Sequence, residues 1–190
     1  MAMQPYRLAV GSSGAFFVMF ALTNDRLFGR FDATNTLLGS FGTFLQDQGV
    51  NAMLLDGWIE PDGQDGLVYA ARYAGLVAAY DALGGLRFVA ETIDRPPLPS
   101  MVKSSGRIWV DREAPTTAFS LSVTPEGIHV LTATPEGLKQ RGVIDTYSLD
   151  DGRYLFSRRL PEACRSAKVT TTHLYTIGDT SITQWSLRDG

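Results

Sequence analysis

Catalysis or metal binding needs polar side chains that converge, so the carboxylates, the histidines and the lone cysteine come first. The densest polar stretch is Asp56-Gly-Trp-Ile-Glu-Pro-Asp-Gly-Gln-Asp-Gly66. Its Asp56, Glu60, Asp62 and Asp65, with Asn51 just upstream, carry the hard oxygen ligands that calcium prefers. Their spacing does not follow the EF-hand order, and Pro-Asp-Gly is ordinary turn chemistry. The reading is therefore an acidic turn without a cofactor, with Asn51, Asp56, Asp62 and Asp65 as weak calcium candidates. His129 and His173 stand far apart, and a zinc site needs three or four converging ligands. No Gly-x-Ser-x-Gly elbow exists, and no Gly-Lys-Ser/Thr follows Gly11-Ser-Ser-Gly14. Cys164 lies beside Arg165 but has no histidine placed to activate it, so it reads as a structural thiol. No catalytic residue is nominated.

The elements that would position these residues repeat. Four segments end a short strand on an aromatic anchor: Leu27-Phe-Gly-Arg-Phe31, Leu76-Val-Ala-Ala-Tyr80, Val143-Ile-Asp-Thr-Tyr147 and Ser181-Ile-Thr-Gln-Trp185. Each continues with Asp or Ser and a turn rich in Asn, Asp or Gly, which tolerate the positive φ of tight hairpins. Upstream of each anchor lies an apolar strand: Phe16–Leu22, Leu67–Arg72, Ile128–Ala133 or His173–Ile177. Further upstream is a shorter one: Arg7–Val10, Asn51–Asp56, Phe119–Val123 or Ala167–Thr171. The order a-b-c-d thus recurs four times. Residues 67–82, the best helical stretch, match the other copies as two strands with a turn at Tyr73–Gly75. Four-stranded antiparallel units in series pack face to face about an axis as the blades of a β-propeller. The fold class is therefore all-β, in one domain over residues 1–190. Its blades cover roughly 6–44, 50–95, 117–161 and 164–190, and 96–116 is a connection.

Composition agrees. The chain has 190 residues, 44% hydrophobic and 19% charged, with nineteen glycines to make turns. A net charge of −3 with no basic run gives no electrostatic footprint for nucleic acid or an anionic membrane. The longest apolar run, Ala15–Leu22, is too short to span a bilayer. It reads as a buried strand in preference to a signal-peptide core, for which Gly11, Gly14 and the lack of a clear cleavage site are unfavourable.

Phe31-Asp32-x-x-Asn35-x-Leu37-Leu38-x-x-Phe41-Gly42 resembles the c–d hairpin of NHL-type repeats. Asp56-Gly57, Val68-Tyr69 and the hairpin Tyr147-Ser-Leu-Asp-Asp-Gly-Arg-Tyr-Leu155 resemble bacterial six-bladed, TolB-like propellers of unknown role. The resemblance implies six blades and a periplasmic or extracellular location. Only four are counted, the last without a strand d after Trp185. The chain is then a fragment of a larger propeller, a four-bladed ring, or a homo-oligomer through open blade edges. Tyr6–Val10 either completes the last blade or forms the first blade's inner strand.

In a propeller the d–a and b–c connections share one face. Here they include the long stretches Phe44–Val50, Asp94–Ala118 and Thr134–Gly142, so this is the expected binding face. Asp25, Arg26, Arg95, Arg112, Glu113, Lys139 and Arg141 are its candidate contacts. Their mixed charge suits a protein or a polar small molecule. The expected function is a non-catalytic binding or scaffold module. The alternative is a calcium-dependent hydrolase or lyase of the six-bladed kind, with Asn51 and Asp56 in the channel. Trp185 should pack between blades, Trp109 is core or rim, and Trp58 is the best surface contact of the three.

Overall fold

A computed structural model describes residues 5–20, 26–43, 50, 52–94, 96–111, 113–134 and 137–187. It contains four blades. Blade I is β1 (Pro5–Val10), β2 (Phe16–Phe20), β3 (Phe28–Phe31) and β4 (Leu37–Phe41). Blade II is β5 (Gly57–Pro61), β6 (Leu67–Ala71), β7 (Leu76–Tyr80) and β8 (Leu86–Glu91). A separate hairpin of β9 (Met101–Ser104) and β10 (Arg107–Val110) follows. Blade III is β11 (Ser120–Thr124), β12 (Gly127–Thr134), β13 (Gly137–Tyr147) and β14 (Tyr154–Arg159). Blade IV has β15 (Ser166–Val169), β16 (His173–Ile177) and β17 (Ile182–Ser186). Within each blade the strands are antiparallel and in chain order, as the repeat predicts.

Short polar side chains make the hairpins. Asp32 Oδ1 accepts from the amides of Thr34 and Thr36, and Asp81 Oδ1 accepts from those of Leu83 and Gly85, all within 2.9 Å. These Asx turns mimic a backbone turn and settle where the chain reverses. Left-handed backbone follows at Asn35 (φ 66°) and Gly84 (φ 84°), as the turn residues anticipate. Ser148 takes the same role in blade III, accepting from Asp150 N at 3.2 Å before Gly152 at φ 73°.

Two sequence expectations are corrected. The inner strand of blade II is Gly57–Pro61; of the segment 51–56 read as that strand, Ala52–Leu55 forms a 3-10 turn. Gly57 and Pro61 make a poor strand by propensity, but all five residues of β5 pair with β6. Thr134–Gly142 was expected as a loop, yet from Gly137 onward it is strand. There β12 and β13 run on past the body of the blade, with register shifts at Ala133. The choice left open for Tyr6–Val10 is resolved: β1 pairs with β2 and is the first blade's own inner strand.

Three apolar layers hold the blades together, and they have a direction. Ala9, Phe17, Met19, Phe28 and Phe41 of blade I pack on Ile59, Tyr69, Ala78 and Tyr80 of blade II. The opposite side of blade II, with Val68, Ala70, Val77 and Ala79, packs on Leu121, Ile128, Val130 and Tyr147 of blade III. Leu131 and Ile144 then meet Ala167, Val169, Leu174 and Trp185 of blade IV. Tyr80, Tyr147 and Trp185 therefore all press on the blade that precedes them. The inner strands sit side by side in the series β1, β5, β11, β15, and no comparable packing joins β15 back to β1 among the described residues.

Candidate functional site

The face carrying the d–a and b–c connections has a built centre. Asp56 enters β5 and Arg72 leaves β6, so both stand at this end of blade II. Asp56 accepts from Arg72 Nη1 at 3.3 Å and lies 3.5 Å from Arg7 Nη2 of β1. The Tyr6 hydroxyl also donates to Asp56, at 3.4 Å. The Arg7 guanidinium stacks 3.8 Å above the Trp58 ring, and that of Arg72 lies 5.2 Å from Tyr73. Arg7 Nε and Asp56 Oδ1 are buried with no hydrogen-bond partner among the described residues. Thr117 fastens the next connection across this face. Its amide donates to Arg72 O at 2.7 Å, its hydroxyl reaches Ala71 O at 3.0 Å, and Gly75 N donates to that hydroxyl. The 3-10 turn packs beside β10, where Trp109 is 36% exposed.

The sequence candidates spread around this centre. Arg26 is exposed and donates to Ser40 O of its own blade at 2.7 Å. Glu113 is exposed just after the β9–β10 hairpin, its amide held by Asp111 Oδ1. Asp25, Arg95, Arg112 and Asn51 lie outside the described residues. Lys139 and Arg141 are on β13, and their side chains also lie outside what is described. Tyr6, Arg7, Arg72 and Tyr73 were not singled out from the sequence. They are far apart in the chain, and no spacing rule joins them before the blades stack.

Trp58 was expected as a surface contact and is instead half-buried. Its place on β5 turns it into the layer between blades II and III, and its Nε1 donates to Ala118 O at 3.1 Å. Trp185 packs between blades as predicted.

The calcium candidates divide between the two ends of β5. Asp56 and Asp62 are separated by six residues, ~20 Å at strand rise. Asp62 is committed to its own turn: Oδ1 accepts from Gln64 N and Gly66 N, and Oδ2 from Arg87 at 3.0 Å. Asp65 accepts from the Ser12 hydroxyl and the Ser13 amide of blade I. Among the described residues no three His, Cys, Asp or Glu side chains come together as a metal site.

On the opposite, tight-turn face, a cleft of about 850 Å³ opens where the turns of blades I, II and III meet, lined by Glu60, Asp62, Glu126 and Arg153 among others. Lys168 of β15 reaches across to Glu60 at 2.6 Å. A smaller cleft, about 220 Å³, lies between blades III and IV over His129. Both nitrogens of that ring are engaged, Nε2 with Thr124 Oγ1 at 2.9 Å and Nδ1 with Thr146 Oγ1 at 3.1 Å. Burial pushes its pKa down to about 4, so the ring is neutral near pH 7 and offers no free nitrogen as a base. On the other side of the blade III sheet, Asp145 is bonded to Ser157 and Thr132 on the neighbouring strands; burial raises its pKa.

No protein-family model and no curated protein matches the chain. Solved structures do match it. Saccharomyces cerevisiae Sqt1 is 12% identical with a TM-score of 0.59, covering 94% of this chain and 44% of that one. Kuenenia stuttgartiensis hydrazine synthase is 14% identical at 0.60, covering 96% and 46%. A streptogramin B lyase is 13% identical at 0.54, covering 98% and 55%. These are β-propeller proteins, and the likeness establishes that fold for the four blades. The chain spans about half the length of the structures it matches. Among the described residues no helix is long and apolar enough to cross a membrane.

Proposed function

We propose that this single propeller domain is a non-catalytic binding module, and that it takes a protein through the face carrying the d–a and b–c connections. The observation that carries the reading is the Tyr6–Arg7–Asp56–Arg72–Tyr73 cluster, with Trp109 on the nearby hairpin. Tyr, Trp and Arg are the residues that dominate binding hot spots. Here they stand on paired strands and on a turn fixed by Thr117, so little order has to be gained on binding. Arg26 and Glu113, with Asp25, Arg95, Arg112, Lys139 and Arg141, would form the mixed-charge rim. Such a rim sets orientation and association rate more than affinity.

The test is affinity capture on the immobilised chain, read by quantitative mass spectrometry. Proteins retained by the wild type should be lost with Arg72→Ala combined with Tyr73→Ala, and with Trp109→Ala. They should be kept with Asp150→Ala combined with Arg153→Ala on the other face. Captured proteins insensitive to both loop-face variants would refute the reading. The alternative of a calcium-dependent hydrolase or lyase has less support, because Asp56 is held between two arginines and its carboxylate partners sit at the far end of β5.

A further inference from the structure

The connection that leaves blade II carries a motif that the loop-face cluster does not use. Thr92-Ile-Asp-Arg-Pro-Pro-Leu-Pro-Ser100 runs from the end of β8 to the start of β9. Proline fixes φ near −65°, and a residue that precedes proline is pushed to extended or polyproline II backbone. Pro96, Pro97, Leu98 and Pro99 each meet one of these conditions, and Pro96 meets both. Covalent geometry alone therefore favours a turn of polyproline II here. The exposure pattern has the matching period. Polyproline II has three residues per turn, so Pro96 and Pro99 share one edge. Both are half-buried, whereas Pro97 and Leu98 between them are exposed, Leu98 by 48%. On the covered edge, the Pro96 ring lies 3.8 Å from where a side chain on Gly75 would begin. Both ends of the stretch are fastened. Asp94 O accepts from the Thr92 hydroxyl at 2.7 Å, and Ser100 O accepts from Asp111 N at 3.2 Å. Between them, Pro96–Pro99 makes no hydrogen bond to the described residues, and polyproline II makes none within itself.

We propose that Pro96–Pro99 is a docking ligand for a partner protein with a groove lined by tryptophan and tyrosine, and that Pro97 and Leu98 form the ridge that enters the groove. Grooves of this kind select polyproline II because it is already ordered and has no internal hydrogen bonds to break. Its carbonyls are free to accept from the N–H and O–H of the groove's aromatic residues, while the proline ring and the leucine pack on their faces. The ridge carries no charge, so its chemistry calls for an aromatic groove and not for an ionic site. Ile93, also 48% exposed, extends the apolar surface on the approach to it. Anchoring at Asp94 and Ser100 removes much of the ordering cost that a free proline-rich tail would meet. Pro96–Pro99 lies on the face carrying the d–a connections, so this proposal rests on the loop-face reading for the side a partner approaches, and on none of the cluster's residues.

Isolated WW and SH3 domains supply defined aromatic-lined grooves as probes. Each domain, isotope-labelled, is titrated with the full chain up to millimolar concentration and followed by its amide shifts in NMR. At least one should show saturable shifts centred on its groove. Pro97→Ser combined with Leu98→Ser should weaken that binding by about tenfold or more. Leu98→Asp, which keeps all three prolines, is the second variant and should do the same. Both positions are exposed, so circular dichroism of either variant should match the wild type. Arg72→Ala combined with Tyr73→Ala should bind the domain as the wild type does. Absence of shifts with every domain overturns the proposal. So does binding that both Leu98 variants leave unchanged, and so does binding lost with the Arg72 and Tyr73 pair but kept by the serine variant. None of these outcomes alters the capture test of the loop-face cluster, and failure of that test leaves this one standing.

Discussion

Burial governs His129 and gives it a measurable consequence. Its folded pKa, about 4, lies below the ordinary value of 6.5. Above pH 6.5 the ring is neutral in both folded and unfolded chains. As pH falls from there toward 4, the unfolded chain takes up a proton that the folded one refuses, so stability is lost across that window. Urea unfolding at pH 7 and pH 5 should show a larger loss for wild type than for His129→Gln; equal losses would refute the assignment. Asp145, with a raised pKa, acts in the opposite sense at the acid end, but it is common to both proteins and cancels in the comparison. Arg87 is a second sensitive residue. It pairs with Asp62, whose side chain is 3% exposed, and its Nη2 donates to Leu149 O of blade III at 2.9 Å. Arg87→Ala should destabilise the fold by roughly 3 kcal/mol in a denaturant titration, because it strands a buried carboxylate. At this scale the sequence was informative about turn residues and silent about partners. Asp32, Asp81 and Ser148 announce their hairpins locally, whereas Arg7 meets Trp58 only after two blades have stacked.

Among the elements, the c–d hairpin of blade III leaves little room for change. A methyl group on Gly152 would come within 2.6 Å of the Phe88 ring, and its φ of 73° is one that side chains rarely adopt. Gly63 has a similar φ of 82° but open space around it. Gly152→Ala should therefore cost about 2–4 kcal/mol, from strain and overpacking together. Gly63→Ala should cost about 1 kcal/mol, from strain alone. Denaturant midpoints of the two variants check the ranking, and equal values would show that the Phe88 contact carries no weight. The strands that sequence reading misplaced share a cause. Residues 52–55 are apolar yet form a turn, while Gly57–Pro61 are a strand because β6 offers a complete row of partners. The polar stretch after Gly137 is likewise strand through its pairing with β12, a fact of geometry that composition does not carry.

For the whole molecule, stability should grade from the middle of the arc outward. Every residue of β6 and β7 is buried, between layers on both sides, whereas β17 forms the outer edge of a three-stranded sheet. Hydrogen exchange should be slowest in β6 and β7 and fastest in β17; uniform protection would contradict this. The architecture was readable from the start because the anchors and hairpins repeat with every blade. The number of blades around the axis was not, since closure depends on what meets the two ends. The shared orientation of the anchors has one more consequence. It gives the arc a head and a tail: a surface laid behind blade IV would have to supply an aromatic anchor, as each following blade does, whereas one laid before blade I would have to receive one.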